Sequence, residues 1–171
     1  MHPTIRIAHL LHLLQRIEGR KKLQKIVHIL QTLGAPFVEP FQYSQYGMYS
    51  QQLTTEMGHL VKDGLVTETK AYVGTNEAYV FEATKDLAEL LESLHIEEEP
   101  KWSQLGRELN ELPPQLLEGI STVLFLQERG YADENLRLRL VALKPHLASI
   151  ANACMERAAA YKNDRVFSIE N

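Results

Sequence analysis

Three cations in a row, Arg20, Lys21 and Lys22, follow Gly19, and Lys25 stands three residues further on. Leu23, Ile26, Val27 and Leu30 recur at helical spacing, which predicts a helix over about 20–33 with these cations in its first turns. That helix end already carries the positive pole of the macrodipole, so each cation there costs about 0.3–1 kcal/mol unless something compensates it. Free N–H groups beside several cations form a site for phosphate or carboxylate. The chemistry on offer is docking of an anion: a nucleic-acid phosphate or an acidic partner surface. The competing reading is a pairing with Glu18 or with a carboxylate from elsewhere in the fold. A second group lies downstream. Tyr43, Tyr46 and Tyr49 recur every third residue and can stack on bases or anchor a partner; equally, they can pack a loop onto its own domain with their hydroxyls bonded. Gln51 and Gln52 open the next helix, and glutamines can read adenine edges. The candidate anion- or partner-binding residues are therefore Arg20, Lys21, Lys22, Lys25, Tyr46, Tyr49, Gln51 and Gln52.

Other reactive residues make a weaker case. His9 and His12 are one helical turn apart and His28 could approach them, but no carboxylate or thiol is placed to complete a metal site. Cys154, between Ala153 and Met155 on an apolar stripe, reads as a small buried residue. The chain contains no Gly-rich phosphate loop, no GxSxG elbow, no HExxH and no zinc-type cysteine pair. The expectation is a non-enzymatic protein with no catalytic residue, no metal and no cofactor.

The elements that must position the basic and aromatic groups follow from periodicity and punctuation. An apolar helix is predicted over 4–17. After the basic helix, Gly34 is placed as its C-terminal cap. Pro36 and Pro40 exclude helix, and an edge strand is predicted over 37–43 before a turn at Tyr46-Gly47. Ser50 caps a helix over 51–63, whose outward face holds Ser50, Gln51, Gln52, Thr54, Thr55, Glu56, His59 and Lys62. Two extended runs, 65–73 and 78–83, joined by Gly74-Thr75-Asn76-Glu77, read as a hairpin. A helix over 85–95 follows, capped by Thr84. Glu97, Glu98 and Glu99 before Pro100 mark a solvated linker, and everything beyond is helical. There Asp133 is expected as a cap, and Pro145 opens the last helix.

A chain of 171 residues with a net charge of −4 suits one domain or two small ones and has no general attraction to nucleic acid or membranes. One cysteine fits a reducing cytoplasm, and the first turns lack a signal-peptide cleavage site. No apolar run reaches the roughly twenty residues that span a bilayer. The predicted fold is α+β and predominantly α-helical. A winged-helix-like domain over 1–95 is followed by an acidic linker over 96–100, a helical bundle over 101–163 and a flexible tail over 164–171. The bundle either packs on the first domain or mediates homodimerisation.

Three segments carry a resemblance. Gly19-Arg20-Lys21-Lys22-Leu23-Gln24-Lys25, Tyr46-Gly47-Met48-Tyr49-Ser50-Gln51-Gln52-Leu53 and Val61-Lys62-Asp63-Gly64-Leu65-Val66 together resemble the YwgA-like family of bacterial proteins. Leu143-Lys144-Pro145-His146 looks like a late motif of the same group. More distantly, the Lys-Leu-Gln-Lys helix and the Tyr-Gly turn resemble the Panacea domain of antitoxins and other bacterial interaction proteins, with Met48 standing where a proline is frequent. The resemblance implies a winged-helix-like adaptor or regulator that binds a protein partner. The alternative is a transcription regulator that sets Lys21, Lys22 and Lys25 on DNA phosphates.

Overall fold

A computed structural model describes residues 1–164 and Phe167. The fold is mixed α+β and mainly helical. Helix α1 (Pro3–Leu14) leads into a short strand β1 (Arg16–Glu18) and then helix α2 (Arg20–Thr32). A two-stranded hairpin, β2 (Gln42–Ser44) and β3 (Gly47–Tyr49), precedes α3 (Gln51–Lys62). Strands β4 (Val66–Val73) and β5 (Asn76–Ala83) form the long hairpin, followed by α4 (Lys85–Ser93). Then come α5 (Ser103–Glu111), α6 (Pro114–Glu128), α7 (Asp133–Leu143), a 3-10 turn over Pro145–Ile150 and α8 (Ala151–Asp164). Among the described residues, no helix is long and apolar enough to cross a membrane.

The first helix ends three residues earlier than its periodicity predicts. Gln15 takes φ 65°, and its side-chain amide donates to the His12 carbonyl at 2.5 Å, closing the helix. Ile17 is fully buried as expected, but on a strand, where Arg16, Ile17 and Glu18 pair with Glu82, Phe81 and Val80. This completes a three-stranded antiparallel sheet of order β1-β5-β4. The edge strand expected over 37–43 is also displaced. Phe37 and Phe41 belong to an irregular segment, where Phe37 packs edge-on against Trp102 and Phe41 against His28. The strand begins only at Gln42 and turns at Gln45-Tyr46. Burial of the two phenylalanines outweighs their preference for a ladder. Asp133 is likewise not a side-chain cap: it is the first residue of α7, at φ 50°.

Other predicted caps are in place. The Ser50 hydroxyl accepts from Leu53 N–H at 3.3 Å, and Thr84 does the same for Leu87 at 3.3 Å. The Thr84 hydroxyl also donates to the Leu65 carbonyl at 2.9 Å, which ties α4 to the base of the hairpin. Gly34, at φ 97°, ends α2, and Ala35 N–H bonds back to the Leu30 carbonyl at 2.9 Å. Phe167 N–H donates to the Leu33 carbonyl at 3.0 Å, so the chain returns to this cap. Apart from Asp164 and Phe167, the tail expected over 164–171 lies outside the described residues.

Helix α2 is the centre of the molecule. Every residue from Leu23 to Leu30 is buried, including Gln24, Lys25 and His28. The polar face expected at Lys21, Lys22, Gln24 and Lys25 is thus only partly a surface, because β3 and α6 cover its middle. The apolar core runs from Ile7 and Leu10 of α1 through α2 to Ile120 and Leu124 of α6 and Cys154 of α8. Helices beyond Pro100 therefore share one core with the elements before it. Each large side chain fully buried there contributes about 1.5–3 kcal/mol. Gly119 lets α6 and α8 meet: a Cβ added at Gly119 would fall on Cys154 Sγ and lie 3.1 Å from its Cβ.

That contact makes a direct test. Gly119→Ala should lower the unfolding free energy in urea by about 1–3 kcal/mol through overpacking. Adding Cys154→Ala should recover part of the loss, giving a coupling between the two sites. Losses that simply add would show that Gly119 and Cys154 do not share the space.

Candidate functional site

The four cations of the basic segment have four different fates. Arg20 is compensated from within: its Nε donates to Glu68 Oε1 of β4 at 2.5 Å, and its guanidinium lies 3.8 Å from the centre of the Tyr79 ring. Lys22 reaches across to α5, where its Nζ donates to the Asn110 carbonyl, and burial lowers its pKa. Lys25 is 5% exposed, and its Nζ donates to the carbonyls of Tyr46 and Met48, both at 2.8 Å. Burial pushes its pKa down to about 8; Glu118 opposes that shift, while Lys144 and Lys21 add to it. Lys21 stays exposed, with its Nζ 4.4 Å above the Tyr46 ring.

The tyrosines and glutamines divide in the same way. Tyr43 stacks on Phe125 of α6, with ring centres 5.0 Å apart and planes 9° from parallel. The Tyr49 hydroxyl donates to Gln51 Oε1 at 3.2 Å and accepts from Thr54 at 2.9 Å. Gln52 donates to Glu56 Oε1 at 2.9 Å, and Glu56 is buried, not on the outward face where periodicity placed it. Tyr46, at the tip of the small hairpin, is 53% exposed. The structure therefore brings Arg20, Lys21, Lys25, Tyr46 and Tyr49 together, holds Gln51 on the Tyr49 hydroxyl and leaves Gln52 bonded along α3 to Glu56.

Two concave surfaces flank the Lys21–Tyr46 pair. The first is a cleft of about 420 Å³ between α2, α3 and the sheet. Leu23, Leu53, Met57 and Phe81 contribute its apolar lining, with Arg20, Lys21, Tyr46, Tyr49 and Glu68 around them. The second, of about 340 Å³, opens on the other side toward α6 and the turn after α7. It is lined by Lys21, Lys22, Lys25, Tyr46, Glu118, Lys144 and His146, among others. Sequence reasoning did not bring Glu68, Met57, Glu118, Lys144 or His146 to the basic segment. For Lys144 and His146 the available signal was the Leu143-Lys144-Pro145-His146 motif; for the others no local pattern shows the approach.

Histidines do not assemble a metal centre. His28 Nδ1 lies 2.7 Å from Ser121 Oγ, and burial, with Lys25 nearby, lowers its pKa to about 4. His9 packs edge-on against Trp102. Among the described residues, no group of three metal-ligating side chains converges. Cys154 is buried, and burial raises its pKa to about 11, so it is a packed thiol rather than a nucleophile.

Comparison with known proteins gives one informative relative. The chain is 29% identical over 128 residues, 75% of each chain, to Uncharacterized protein YwgA of Bacillus subtilis (strain 168). The resemblance to the YwgA-like family read from the motifs is borne out by this match. No family model matches the chain, and no solved structure matches it.

A buried carboxyl pair lies away from both concave surfaces. Glu39 is 1% exposed and Glu56 5% exposed, and Glu39 Oε1 and Glu56 Oε2 lack partners. Burial raises the pKa of Glu39 to about 7, helped by the neighbouring Glu56 carboxyl. The folded chain thus holds a proton that the unfolded chain releases once pH passes about 4.5. Stability contributed by this group is complete at low pH and is lost as pH rises from about 4.5 to about 7. Glu39→Gln, neutral at every pH, should be more stable than the parent at pH 8, by on the order of 2–3 kcal/mol. The gap should close toward pH 5. Parallel stability curves for the two proteins across this range would refute the assignment.

Proposed function

We propose that this relative of YwgA is a non-enzymatic binding module, a winged-helix-like regulator that engages an acidic segment of a protein partner. The observation that carries the reading is the composition of the cleft between α2 and α3. It has an apolar lining, an exposed tyrosine at one edge and a single uncommitted cation, Lys21, stacked on that tyrosine. Exposed aromatic anchors beside a cation suit an interface. The element order α1-β1-α2-β2-β3-α3-β4-β5, with the three-stranded sheet β1-β5-β4, supports the winged-helix-like description, the small β2-β3 hairpin being an insertion between the two helices. The antitoxin-like alternative within this class rests on the Panacea-like motifs around Lys21 and Tyr46.

A DNA-binding transcription regulator is the second reading, favoured by the same element order and by the exposed Gln51 at the start of α3. Groove binding needs several cations aimed at phosphates. Here Arg20 is paired with Glu68, while Lys22 and Lys25 are turned inward. Of the basic segment Lys21 is left to supply the charge, with Lys62 exposed at the end of α3. The balance of free cations therefore favours a protein partner.

Affinity capture from a native lysate at physiological salt tests the choice. The wild-type chain should retain a partner that Tyr46→Asp and Lys21→Glu variants each lose by roughly tenfold or more, as expected when an anchor residue is removed. A synthetic acidic peptide from that partner should then bind on its own. Retention unaffected by either variant would overturn the cleft as the docking surface. Strongly salt-dependent binding to random duplex DNA that Lys21→Glu abolishes would transfer the assignment to the second reading.

A further inference from the structure

The second cavity has a chemistry of its own. Lys25 and Lys144 come from elements more than a hundred residues apart in sequence, yet both reach Gly47: a Cβ there would stand 3.1 Å from Lys25 Nζ and 3.7 Å from Lys144 Nζ. Both lysines are nearly buried, at 5% and 6% exposure. Two like charges converging below the surface are costly unless anions compensate them. The structure supplies one carboxylate. Glu118 of α6 accepts from Lys144 Nζ at 2.9 Å and lies 3.1 Å from His146 Nε2. Burial works against its charge, but the bonds from Lys144 and His146 hold its pKa below the usual range.

Counting donors shows what is left over. Lys25 uses two of its three N–H groups on the Tyr46 and Met48 carbonyls, and Lys144 uses one on Glu118. The remaining N–H groups belong to ammonium ions at the cavity, with Lys21 at its edge. Lys21, Lys25 and Lys144 against one carboxylate leave an excess of two positive charges, with Lys22, also in the lining, turned to the Asn110 carbonyl and His146 not yet protonated. Lysine ammoniums, as point charges, suit phosphate. A concave space of about 340 Å³ admits a compact oxyanion together with the body of a small molecule. A duplex backbone, by contrast, cannot follow the chain down to side chains that are this buried.

We propose that the cavity between the small hairpin, α6 and the Lys144–His146 turn is a binding site for the phosphate group of a small molecule, held by Lys21, Lys25 and Lys144. The site adjoins the partner cleft and shares Lys21, Lys25 and Tyr46 with it, but Lys144, Glu118 and His146 do not line that cleft, so variants at these three let either assignment fail alone. Glu118 occupies part of the cation field and acts as an internal competitor. This gives the site a signature that packing alone would not produce, because removing Glu118 and removing Lys144 must have opposite effects.

Isothermal titration of the full chain, at constant ionic strength set with chloride, makes the test. The probes are inorganic phosphate, phenyl phosphate and citrate. Wild-type protein should bind one equivalent of phosphate or phenyl phosphate in a saturable manner. Tighter binding of phenyl phosphate would identify an ester, and equal or tighter binding of inorganic phosphate would identify the free ion. Lys144→Gln should weaken binding roughly tenfold or more, the effect of losing one charged hydrogen bond. Glu118→Gln should tighten it severalfold, and Lys21→Gln, an exposed change that leaves the fold intact, should weaken it by a smaller factor. Absence of saturable phosphate binding to the wild-type chain would overturn the proposal, as would a Glu118→Gln variant that binds more weakly. Citrate binding tighter than either phosphate would reassign the cavity to polycarboxylates, and displacement of phosphate by a short DNA duplex would reassign it to a macromolecule.

Discussion

A buried ammonium is the constraint from which the functional face of this protein is built. Lys25 lies in the middle of α2, the helix on which the whole core is packed, and points its charge at the Tyr46 and Met48 carbonyls. Desolvating an ammonium costs several kcal/mol. Two hydrogen bonds from a charged donor return about 1.5–3 kcal/mol each. These terms nearly cancel, so Lys25 contributes little net stability. Its effect is geometric: it sets where a hairpin of only three-residue strands stands relative to α2, and so where Tyr46 is presented.

The adjacent residue performs the matching task for α3. Gln24 donates to the Ser50 carbonyl at 3.0 Å and accepts from Ser50 N–H at 2.8 Å. Ser50 in turn caps α3 through Leu53 N–H. Two consecutive buried polar side chains on one helix thus position the hairpin and the helix that follows it. A cap, a turn and a cleft wall all depend on the register of Gln24 and Lys25. An apolar pair at these positions would pack as well, but it would leave the Ser50 amide and the Tyr46 and Met48 carbonyls without their partners.

This arrangement explains what was legible in the sequence. The helix over 51–63 could be read because an apolar stripe, a capping Ser50 and a terminal Gly64 all agree there, and the helix over 85–95 because its leucine stripe follows the Thr84 cap. The hairpin of β4 and β5 announced itself through Gly74 and Asn76. Gly34 and Ser50 gave two more boundaries. What failed was the inference that a charged residue opposite an apolar stripe must face water. Lys25 and Glu56 obey the helical period and are still buried, because the covering elements, β3, α6 and the 35–41 segment, arrive from other parts of the chain. Strand β1 was missed for a related reason. Three residues form a strand only because β5 offers an open edge, and no local signal in Arg16-Ile17-Glu18 reports that edge. The candidate residues were mostly in the right neighbourhood, but their partners Glu68, Glu118 and Lys144 are long-range contacts that spacing cannot show.

The distribution of partners among the cations also decides what the face can recognise. A uniformly solvated basic helix end would attract any polyanion, with an affinity set by salt. Here each charge has been given a separate environment. Arg20 is neutralised by Glu68 and stacked on Tyr79, which makes it a strut between α2 and the sheet. Lys22 is spent on the Asn110 carbonyl, which ties α2 to α5. Lys25 and Lys144 are withdrawn below the surface, where they are open only to a ligand small enough to enter. Lys21 remains at the surface beside Tyr46, on the ridge between the cleft and the cavity. A bound anion that draws Lys21 toward Lys25 and Lys144 would take it from the Tyr46 ring and change the edge of the cleft. Were both proposed ligands to bind, occupancy of the cavity and recognition at the cleft would be connected through this one flexible side chain, and a coupling between them would require no movement of the backbone.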